Sequence, residues 1–330
     1  MKKAKYLLLG LLLLSACVPS ATNPTRALPS PTVAASSTPA SPVQTKPPGL
    51  PAELSVEEYA IKGAPQLDPL TFELAHGSVA EVMRKHHVER SVMPRLTTNN
   101  QLLKPFGYRV TFDTLYQDEK PVLQNVYGFR SASVNASGSD FVMLTEAQTG
   151  TVLVRKNRIA PWNTNNSLGN TSPLFLGDDL LSATESWAET GQKLTAEIQV
   201  SRAGKVIYTV SAGNPGANTA LRGLWSYAGH WVLEVSGQVI EDGKSLNERY
   251  GYDETFGFQL LHGKPFYFFK KGSTIGAVYA GQEIQLGYDA VPHDGCCSLG
   301  ELNPISTENM LAFFAQRDGR WYYVEIGIFS

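Results

Sequence analysis

Cysteine is scarce in this chain, and neither sign of charge is in large excess. Three cysteines in 330 residues are too few for the framework of a disulfide-rich domain. The 28 basic and 30 acidic residues give a formal net charge of −2, which excludes a nucleic-acid-binding protein that works by neutralising phosphates. The hydrophobic fraction of 42% and charged fraction of 18% exclude both wholesale disorder and a polytopic membrane protein.

Long hydrophobic runs are also lacking. The run Leu7–Leu14 has eight residues, far fewer than the roughly 20 that a membrane-spanning helix needs. Three lysines precede it, so residues 1–16 combine the basic and apolar regions of a secretory signal peptide.

The signal-like segment ends in a recognisable tetrapeptide. Leu14-Ser15-Ala16-Cys17 resembles the lipobox of bacterial lipoproteins, in which the cysteine is acylated after the signal peptide is cut before it. The resemblance implies that residues 1–16 are a lipoprotein signal peptide and that acylated Cys17 binds membrane lipid. The protein would then be anchored at the cell membrane and face outside the cytoplasm. The alternative is an ordinary secretory signal that is cut after Ala16 and leaves Cys17 as a free thiol.

A proline-rich segment follows the lipobox. Residues 18–50 hold eight prolines, no aromatic residue and only Arg26 and Lys46 as charged residues. Such a composition cannot bury enough apolar surface to fold. Residues 17–50 are therefore predicted to form a disordered, extended tether that starts at the lipidated cysteine.

Helix signals open the remaining chain. Asp68-Pro69 is an N-cap followed by proline at the first helical position, and Gly77 can end that helix. Ser78-Val79-Ala80-Glu81 is a capping-box pattern that starts a second helix, running to about Arg90. The sequence therefore predicts a helical lead-in over residues 51–105.

From residue 106 the chain changes to alternating apolar and polar residues. Such runs, separated by turn-like dipeptides that contain glycine, are typical of antiparallel hairpins. The dipeptides of the C-terminal third are Ala228-Gly229, Asp242-Gly243, His262-Gly263, Lys271-Gly272, Ala280-Gly281, Asp294-Gly295 and Asp318-Gly319. The predicted fold is mainly β, with antiparallel hairpins in a propeller-like or stacked-sheet body over residues 106–330 and a short N-terminal helical segment. A twisted sandwich is the main alternative.

This β-rich body contains a repeated Tyr-Asp dipeptide, which we call the Tyr-Asp echo. Tyr252-Asp253 recurs as Tyr288-Asp289, 36 positions later, with Ile275-Gly276 between them. The order of these residues is similar to that of the WG-type repeats in bacterial surface and interaction proteins, and Ile275-Gly276 stands where those repeats carry Trp-Gly. The resemblance implies repeated short strands in a protein that binds a partner.

Cys296-Cys297 is the most unusual local motif of the body. Neighbouring Cα atoms lie about 3.8 Å apart across a trans peptide bond, closer than a relaxed disulfide prefers, so a vicinal disulfide here would be a strained, rigid ring. The two thiols, with His293 nearby, also suit a soft metal or a redox sensor. The remaining alternative is a pair of reduced cysteines packed beneath a loop.

Complete catalytic motifs are absent from the sequence. It has no Gly-x-Ser-x-Gly elbow, no His-Glu-x-x-His motif and no complete P-loop. Tyr252, Asp253 and Glu254 lie among aromatic residues, a composition that suits carbohydrate binding and equally a packed sheet. These three residues are the candidate ligand contacts; no catalytic residue, metal ligand or cofactor is assigned.

Together these features favour a non-catalytic binding or interaction module of the cell envelope, whose partner is an envelope glycan or a protein. The first alternative is a glycan-active hydrolase that uses carboxylates of the β body, which requires two acids at glycosidase spacing. The second alternative is a redox or soft-metal sensor at Cys296-Cys297.

Overall fold

The computed structural model describes residues 43–66, 68–76, 100–111, 113–162, 167–190, 193–213, 220–293, 303–307 and 309–328. Within these ranges the chain is mainly β and forms six antiparallel sheets. The predicted mainly-β fold of antiparallel hairpins with a short N-terminal helical segment is therefore confirmed. The signal peptide, Cys17, most of the tether, the second predicted helix and Cys296-Cys297 lie outside the described residues.

The strands are numbered along the chain, and the sheets are numbered 1 to 6. Sheet 1 contains β3 (Tyr108–Val110), β4 (Thr114–Gln117) and β5 (Lys120–Gln124). Sheet 2 contains β6 (Val126–Val134), β7 (Phe141–Ala147), β8 (Gly150–Arg155) and β9 (Arg158–Pro161). Sheet 3 contains β10 (Ser167–Asn170), β11 (Leu174–Leu176), β12 (Asp179–Thr190), β13 (Lys193–Arg202) and β14 (Lys205–Ala212).

The second half of the chain forms three further sheets. Sheet 4 contains β15 (Leu221–Tyr227), β16 (His230–Val235), β17 (Gln238–Glu241) and β18 (Lys244–Ser245). Sheet 5 contains β19 (Glu254–Leu261), β20 (Lys264–Lys271), β21 (Thr274–Tyr279) and β22 (Gln282–Tyr288). Sheet 6 joins β1 (Val43–Thr45) and β2 (Ser55–Ile61) to β23 (Ile305–Ser306), β24 (Met310–Arg317) and β25 (Arg320–Gly327).

The turn dipeptides connect the strands as predicted. Both residues have positive φ in five of them, the conformation of a type I′ hairpin turn: Ala228-Gly229, Asp242-Gly243, His262-Gly263, Ala280-Gly281 and Asp318-Gly319. Lys271-Gly272 lies at the β20–β21 turn, where only the glycine has positive φ. Asp294-Gly295 lies outside the described residues.

Successive sheets pack against one another in chain order. Tyr108 of sheet 1 contacts Phe141 of sheet 2, with 5.0 Å between ring centroids. Shared buried clusters also join sheets 3 and 4, sheets 4 and 5, and sheets 5 and 6. In the last of these, Phe268 and Phe313 meet edge to face at 5.0 Å. Because a sheet with this many apolar residues must be covered on its faces, packing one sheet on the next buries these faces in a series of hydrophobic clusters.

Sheet 6 joins distant parts of the chain. β2 pairs antiparallel with β25, from Ser55 opposite Gly327 to Ile61 opposite Trp321. This strand lies within residues 51–105, where the sequence indicates helices. The sequence does not show the alternation of a strand here, because a charged residue, Glu58, occupies an inward-facing position. Its burial depends on an arginine 259 positions away.

The helices are few and short. α1 (Pro69–His76) begins at its predicted N-cap, where Asp68 Oδ1 accepts the N–H of Thr71 at 2.9 Å. α1 packs on sheet 6 through Phe72, whose ring centroid lies 5.4 Å from that of Phe314. A 3₁₀ helix (Lys104–Phe106) precedes sheet 1, and α2 (Leu246–Tyr250) connects sheets 4 and 5. Among the described residues, no helix has the length and apolarity required to cross a membrane.

Candidate ligand-binding site

The two aspartates of the Tyr-Asp echo follow β22 (Asp289) and precede β19 (Asp253), and each makes the same pair of hydrogen bonds with a hairpin of sheet 6 or sheet 5. Asp253 donates its N–H to the carbonyl of Lys270 (2.9 Å), and its Oδ2 accepts the N–H of Gly272 (2.7 Å). Asp289 makes the same two bonds with the end of β24 and the following turn, at 2.8 and 2.7 Å. Both carboxylates therefore hold a hairpin turn in place.

The two tyrosines of the echo also share an environment. The hydroxyl of Tyr252 donates to Glu283 at 2.6 Å, and Lys271 Nζ lies 6.0 Å from the ring centroid. The ring of Tyr288, at the end of β22 in sheet 5, likewise lies near a cation, since the guanidinium of Arg317 at the end of β24 in sheet 6 is 5.3 Å from the centroid. Burial raises the pKa of both phenols, so they are neutral donors at physiological pH.

Aromatic and charged side chains meet where sheets 4 and 5 pack together. Tyr252 stacks on Phe269 at 4.4 Å, and the ring of Tyr250 lies 5.6 Å from that of Tyr252. Tyr252 is buried, whereas 47% of Tyr250 is exposed. We call this surface the 4–5 seam, and its members are Tyr227, His230, Glu241, Asp242, Arg249, Tyr250, Tyr252, Phe269 and Glu283.

Glu241 organises the polar part of the 4–5 seam. Its carboxylate accepts hydrogen bonds from the Tyr227 hydroxyl and from Arg249 Nη1, the latter at 2.6 Å. Burial, followed by the bond to Glu241, raises the pKa of the Tyr227 phenol. The Arg249 guanidinium also lies 5.8 Å from the ring centroid of Tyr250. The side chains around the exposed ring are therefore held in place before any ligand arrives.

His230 gives the 4–5 seam a group that titrates near neutrality. Its Nδ1 lies 2.6 Å from Asp242 Oδ2, and this hydrogen bond raises the pKa of His230 above its ordinary value of 6.5. The histidine therefore stabilises the folded chain below pH 6.5, and that contribution is lost as the pH rises through the folded-state pKa.

An NMR titration of the histidine ring protons is expected to show this raised pKa for His230. Asp242→Asn is expected to return it toward 6.5, because the amide keeps the shape of the side chain and removes its charge. An unchanged His230 titration in that variant would show that the ion pair has no influence on the ring.

Glu254 lies in a different environment from Tyr252. His293 Nε2 is 3.1 Å from Glu254 Oε1, and the imidazole stacks on Phe256 with centroids 3.4 Å apart. The other ring nitrogen lies 2.7 Å from the carbonyl of Val291, so both nitrogens face oxygen acceptors, as in a protonated imidazolium. The hydrogen bond to His293 holds the pKa of Glu254 below its usual range.

The three sequence candidates thus have three different surroundings. Tyr252 belongs to the 4–5 seam, Asp253 holds a turn, and Glu254 pairs with His293. The other members of the seam were missed because α2 is too short to show a helical period and Asp242 belongs to the predicted turn Asp242-Gly243. The Tyr-x-Tyr spacing at 250–252 was the available signal for an exposed ring beside a buried one.

Two cavities of the described chain lie away from the sequence candidates. A cavity of about 240 Å³ lies between sheets 3 and 4, and one of about 640 Å³ lies beside sheet 1. Neither is lined by Tyr252, Asp253 or Glu254. Within the part of the chain that the structure describes, no cluster of three or more His, Cys, Asp and Glu side chains is arranged to hold a metal ion.

Comparison with known proteins identifies no family. No protein-family model and no curated protein matches the chain. Similar solved structures include an acylaminoacyl peptidase of Pyrococcus horikoshii, with 9% identity and a TM-score of 0.32 over 83% of this chain and 43% of that one. Others are a GH32 beta-fructofuranosidase of Bombyx mori (13%, TM-score 0.26, 71% and 61%) and a Trypanosoma rangeli sialidase (9%, TM-score 0.16, 87% and 53%). This chain therefore spans less than two thirds of each of these proteins, and likeness at these scores assigns no activity.

Proposed function

We propose that this protein is a cell-envelope lipoprotein whose β body is a non-catalytic binding module, displayed outside the cell membrane. The observation that carries the proposal is the 4–5 seam. There an exposed ring, Tyr250, is backed by the fixed rings of Tyr252 and Phe269 and bordered by hydrogen-bonded Glu241 and Arg249. Aromatic rings fixed in this way offer contact area at little cost in conformational entropy.

The composition of the seam favours an envelope glycan as the ligand. A sugar presents C–H faces that pack on aromatic rings and hydroxyls that bond to charged side chains. Tyr250 supplies the ring face, while Glu241, Arg249 and Glu283 supply acceptors and donors at its border. A protein partner is the alternative occupant. The matching hydrogen bonds by which Asp253 and Asp289 hold turns of sheets 5 and 6 support the further proposal that these sheets are two units of one repeat.

A thermal-shift screen of the full chain against peptidoglycan fragments and other envelope glycans tests the seam. A ligand at 100 times its dissociation constant adds about 2.7 kcal/mol to stability, which raises the melting temperature. We expect one glycan class to do so, and Tyr250→Ala to abolish the shift. Val122→Ala, which shortens an exposed apolar side chain in sheet 1, is the matched control. This variant is expected to keep the glycan-dependent shift in melting temperature.

The outcomes of this screen separate the candidate functions. A melting-temperature shift that survives Tyr250→Ala would place the ligand elsewhere. The absence of a shift with every glycan tested would favour a protein partner. Turnover of a bound glycan would favour the hydrolase alternative. The local chemistry offers that alternative little support, because Asp253 holds a turn and the lowered pKa of Glu254 keeps it ionised, which does not suit a general acid.

The lipid anchor has its own test. Cys17→Ser removes the acylation acceptor of the lipobox, so we expect the protein to move from the membrane pellet to the soluble fraction after cell fractionation. Stable anchoring needs more than one acyl chain, and the loss of the acceptor removes them all. Cys296→Ser is the control for loss of a thiol and is expected to stay in the pellet. A Cys17→Ser protein that still sediments quantitatively with membranes would contradict the proposed anchor.

A further inference from the structure

The larger of the two cavities lies beside sheet 1 and is lined by none of the residues of the 4–5 seam. Its volume of about 640 Å³ falls within the range of roughly 300–1,000 Å³ that small-molecule sites occupy. Its walls carry two cations, Lys104 and Arg109, and two carboxylates, Asp118 and Glu119. Among the described residues that line it, Tyr108 is the only aromatic one and is buried, so the cavity offers no open ring face to a sugar.

The turn between β4 and β5 contributes both carboxylates. Asp118 and Glu119 have φ angles of 46° and 62°, in the left-handed region that L-residues rarely adopt. In the described ranges, every other pair of consecutive residues with positive φ has glycine as its second member. This turn therefore keeps two side chains at positions where a glycine-containing turn would be less strained.

The position of the Asp118 carboxylate depends on Gly107. A Cβ atom on this glycine would overlap Asp118 Oδ1, so a residue with a side chain would displace the carboxylate. The N–H of Asp118 donates to the carbonyl of Gly107 at 2.9 Å, which fixes the turn against the residue that precedes β3. Burial, followed by the charge of Asp118, raises the pKa of the Tyr108 phenol. The carboxylate therefore lies near a neutral phenol at one wall of the cavity.

Two charges of the cavity are paired with each other, and two are available. Arg109 Nη2 bonds to Glu119 Oε2 at 2.8 Å, and the guanidinium lies 4.5 Å from the ring centroid of Tyr116. Within the part of the chain that the structure describes, the ammonium of Lys104 and the carboxylate of Asp118 have no ion-pair or hydrogen-bond partner. One available cation and one available carboxylate in the same cavity complement a ligand that carries both charges.

We propose that this cavity binds a short zwitterionic peptide, whose terminal carboxylate pairs with Lys104 and whose terminal ammonium pairs with Asp118. A sphere of the same volume would be about 11 Å across, which matches the length of about three extended residues at ~3.5 Å each. A purely anionic or purely cationic ligand would leave one of the two charges facing a like charge. This inference does not depend on the ligand proposed for the 4–5 seam.

Isothermal titration calorimetry of the full chain in a nonionic detergent, with trialanine as the probe, tests the proposal. We expect saturable binding whose dissociation constant rises at least about tenfold when the peptide is N-acetylated or C-amidated, because each modification removes one charge. Asp118→Asn is expected to have a similar effect and to make acetylation nearly neutral, since asparagine tolerates left-handed φ but lacks the charge. Lys104→Gln is expected to do the same for amidation. Asp318→Asn, at the first position of the Asp318-Gly319 turn of sheet 6, is the matched control and is expected to leave binding unchanged.

A second measurement separates ligand binding from a role in the fold. Asp118→Asn/Glu119→Gly supplies the residues that a type I′ turn favours, so we expect its melting temperature to rise while its affinity for trialanine falls. The Glu119 side chain is 79% exposed, so the loss of its pair with Arg109 costs little stability. A melting temperature that falls in this variant would show that the two side chains serve the fold.

Three further results would overturn the proposal. The first is the absence of any heat of binding with trialanine. The second is an affinity that changes neither with acetylation nor with amidation, or that persists in Asp118→Asn. The third is free alanine that binds as tightly as trialanine, which would refute a peptide as the ligand.

Discussion

Arg317→Met is expected to lower the free energy of unfolding by about 3 kcal/mol, in the range measured when one partner of a buried ion pair is removed. Arg317 Nη2 bonds to both carboxylate oxygens of Glu58, at 2.9 and 3.0 Å. The Glu58 side chain is only 4% exposed. The variant leaves this carboxylate buried without its cation, which costs far more than the loss of an exposed ion pair.

The arginine also lies between two rings. Its guanidinium is 5.3 Å from the centroid of Tyr288 and 4.7 Å from that of Tyr322, so the substitution removes two cation–π contacts as well. Methionine keeps most of the apolar stem of the side chain. The expected loss of unfolding free energy therefore comes chiefly from the charge of Arg317 and its hydrogen bonds.

Urea unfolding followed by tryptophan fluorescence measures this change. Arg320→Met removes an exposed arginine from the same β24–β25 hairpin and is the matched control, expected to change stability by less than about 0.5 kcal/mol. Adding Glu58→Gln to Arg317→Met is expected to recover part of the loss, because a neutral amide is cheaper to bury than a lone carboxylate. Equal effects of Arg317→Met and Arg320→Met would refute a special role for the pair.

Glu185→Ala is expected to cost about 2–3 kcal/mol of unfolding free energy, by the loss of charge-assisted hydrogen bonds to buried donors. Glu185 is fully buried on β12 of sheet 3, and its two carboxylate oxygens accept the backbone N–H groups of Ala220 (3.2 Å) and Leu221 (2.9 Å). Those donors belong to the start of sheet 4. Alanine removes both acceptor oxygens and opens a cavity between the two sheets.

The same arrangement recurs one sheet further along. Glu234 of sheet 4 accepts the N–H groups of Gly257 (2.9 Å) and Phe258 (2.7 Å) in the first strand of sheet 5. Glu234→Ala is therefore expected to behave like Glu185→Ala, whereas Glu248→Ala on the exposed side of α2 is expected to change stability by less than about 0.5 kcal/mol. Thermal unfolding of the three variants is a sufficient measurement. Glu185→Ala as stable as Glu248→Ala would mean that water replaces the carboxylate.

Features fixed by neighbouring residues were predictable from the sequence. The type I′ turns follow from dipeptides whose glycine tolerates positive φ, and α1 begins where its aspartate cap and proline indicate. β2 was not predictable, because Glu58 fits a buried strand only through its pairing with Arg317, far along the chain. The carboxylates Glu185 and Glu234 were equally hidden, since their partners are backbone groups of the next sheet.

The candidate site was predictable only in part. Tyr252 could be identified from its aromatic surroundings, and it does belong to the 4–5 seam. The role of Asp253 could not, since a carboxylate that holds a turn and one that binds a ligand have the same local sequence. Glu241 and Arg249 are eight positions apart on a strand and a five-residue helix, and only the packing of α2 on sheet 4 brings them to 2.6 Å.

The pairing of β2 with β25 determines the order in which the molecule can be completed. Residues 55–61 leave the ribosome long before residues 320–327, so sheets 1 to 5 can form from local hairpins while β2 still lacks its partner. The last pairing must close a loop of more than 250 residues, and its entropic cost is offset by the β2–β25 ladder, the burial of Val56 and the contact of Glu58 with Arg317. A chain that stops before β25 would therefore expose the edge of β2 opposite β1, and the final strand is what protects that edge from pairing with other molecules.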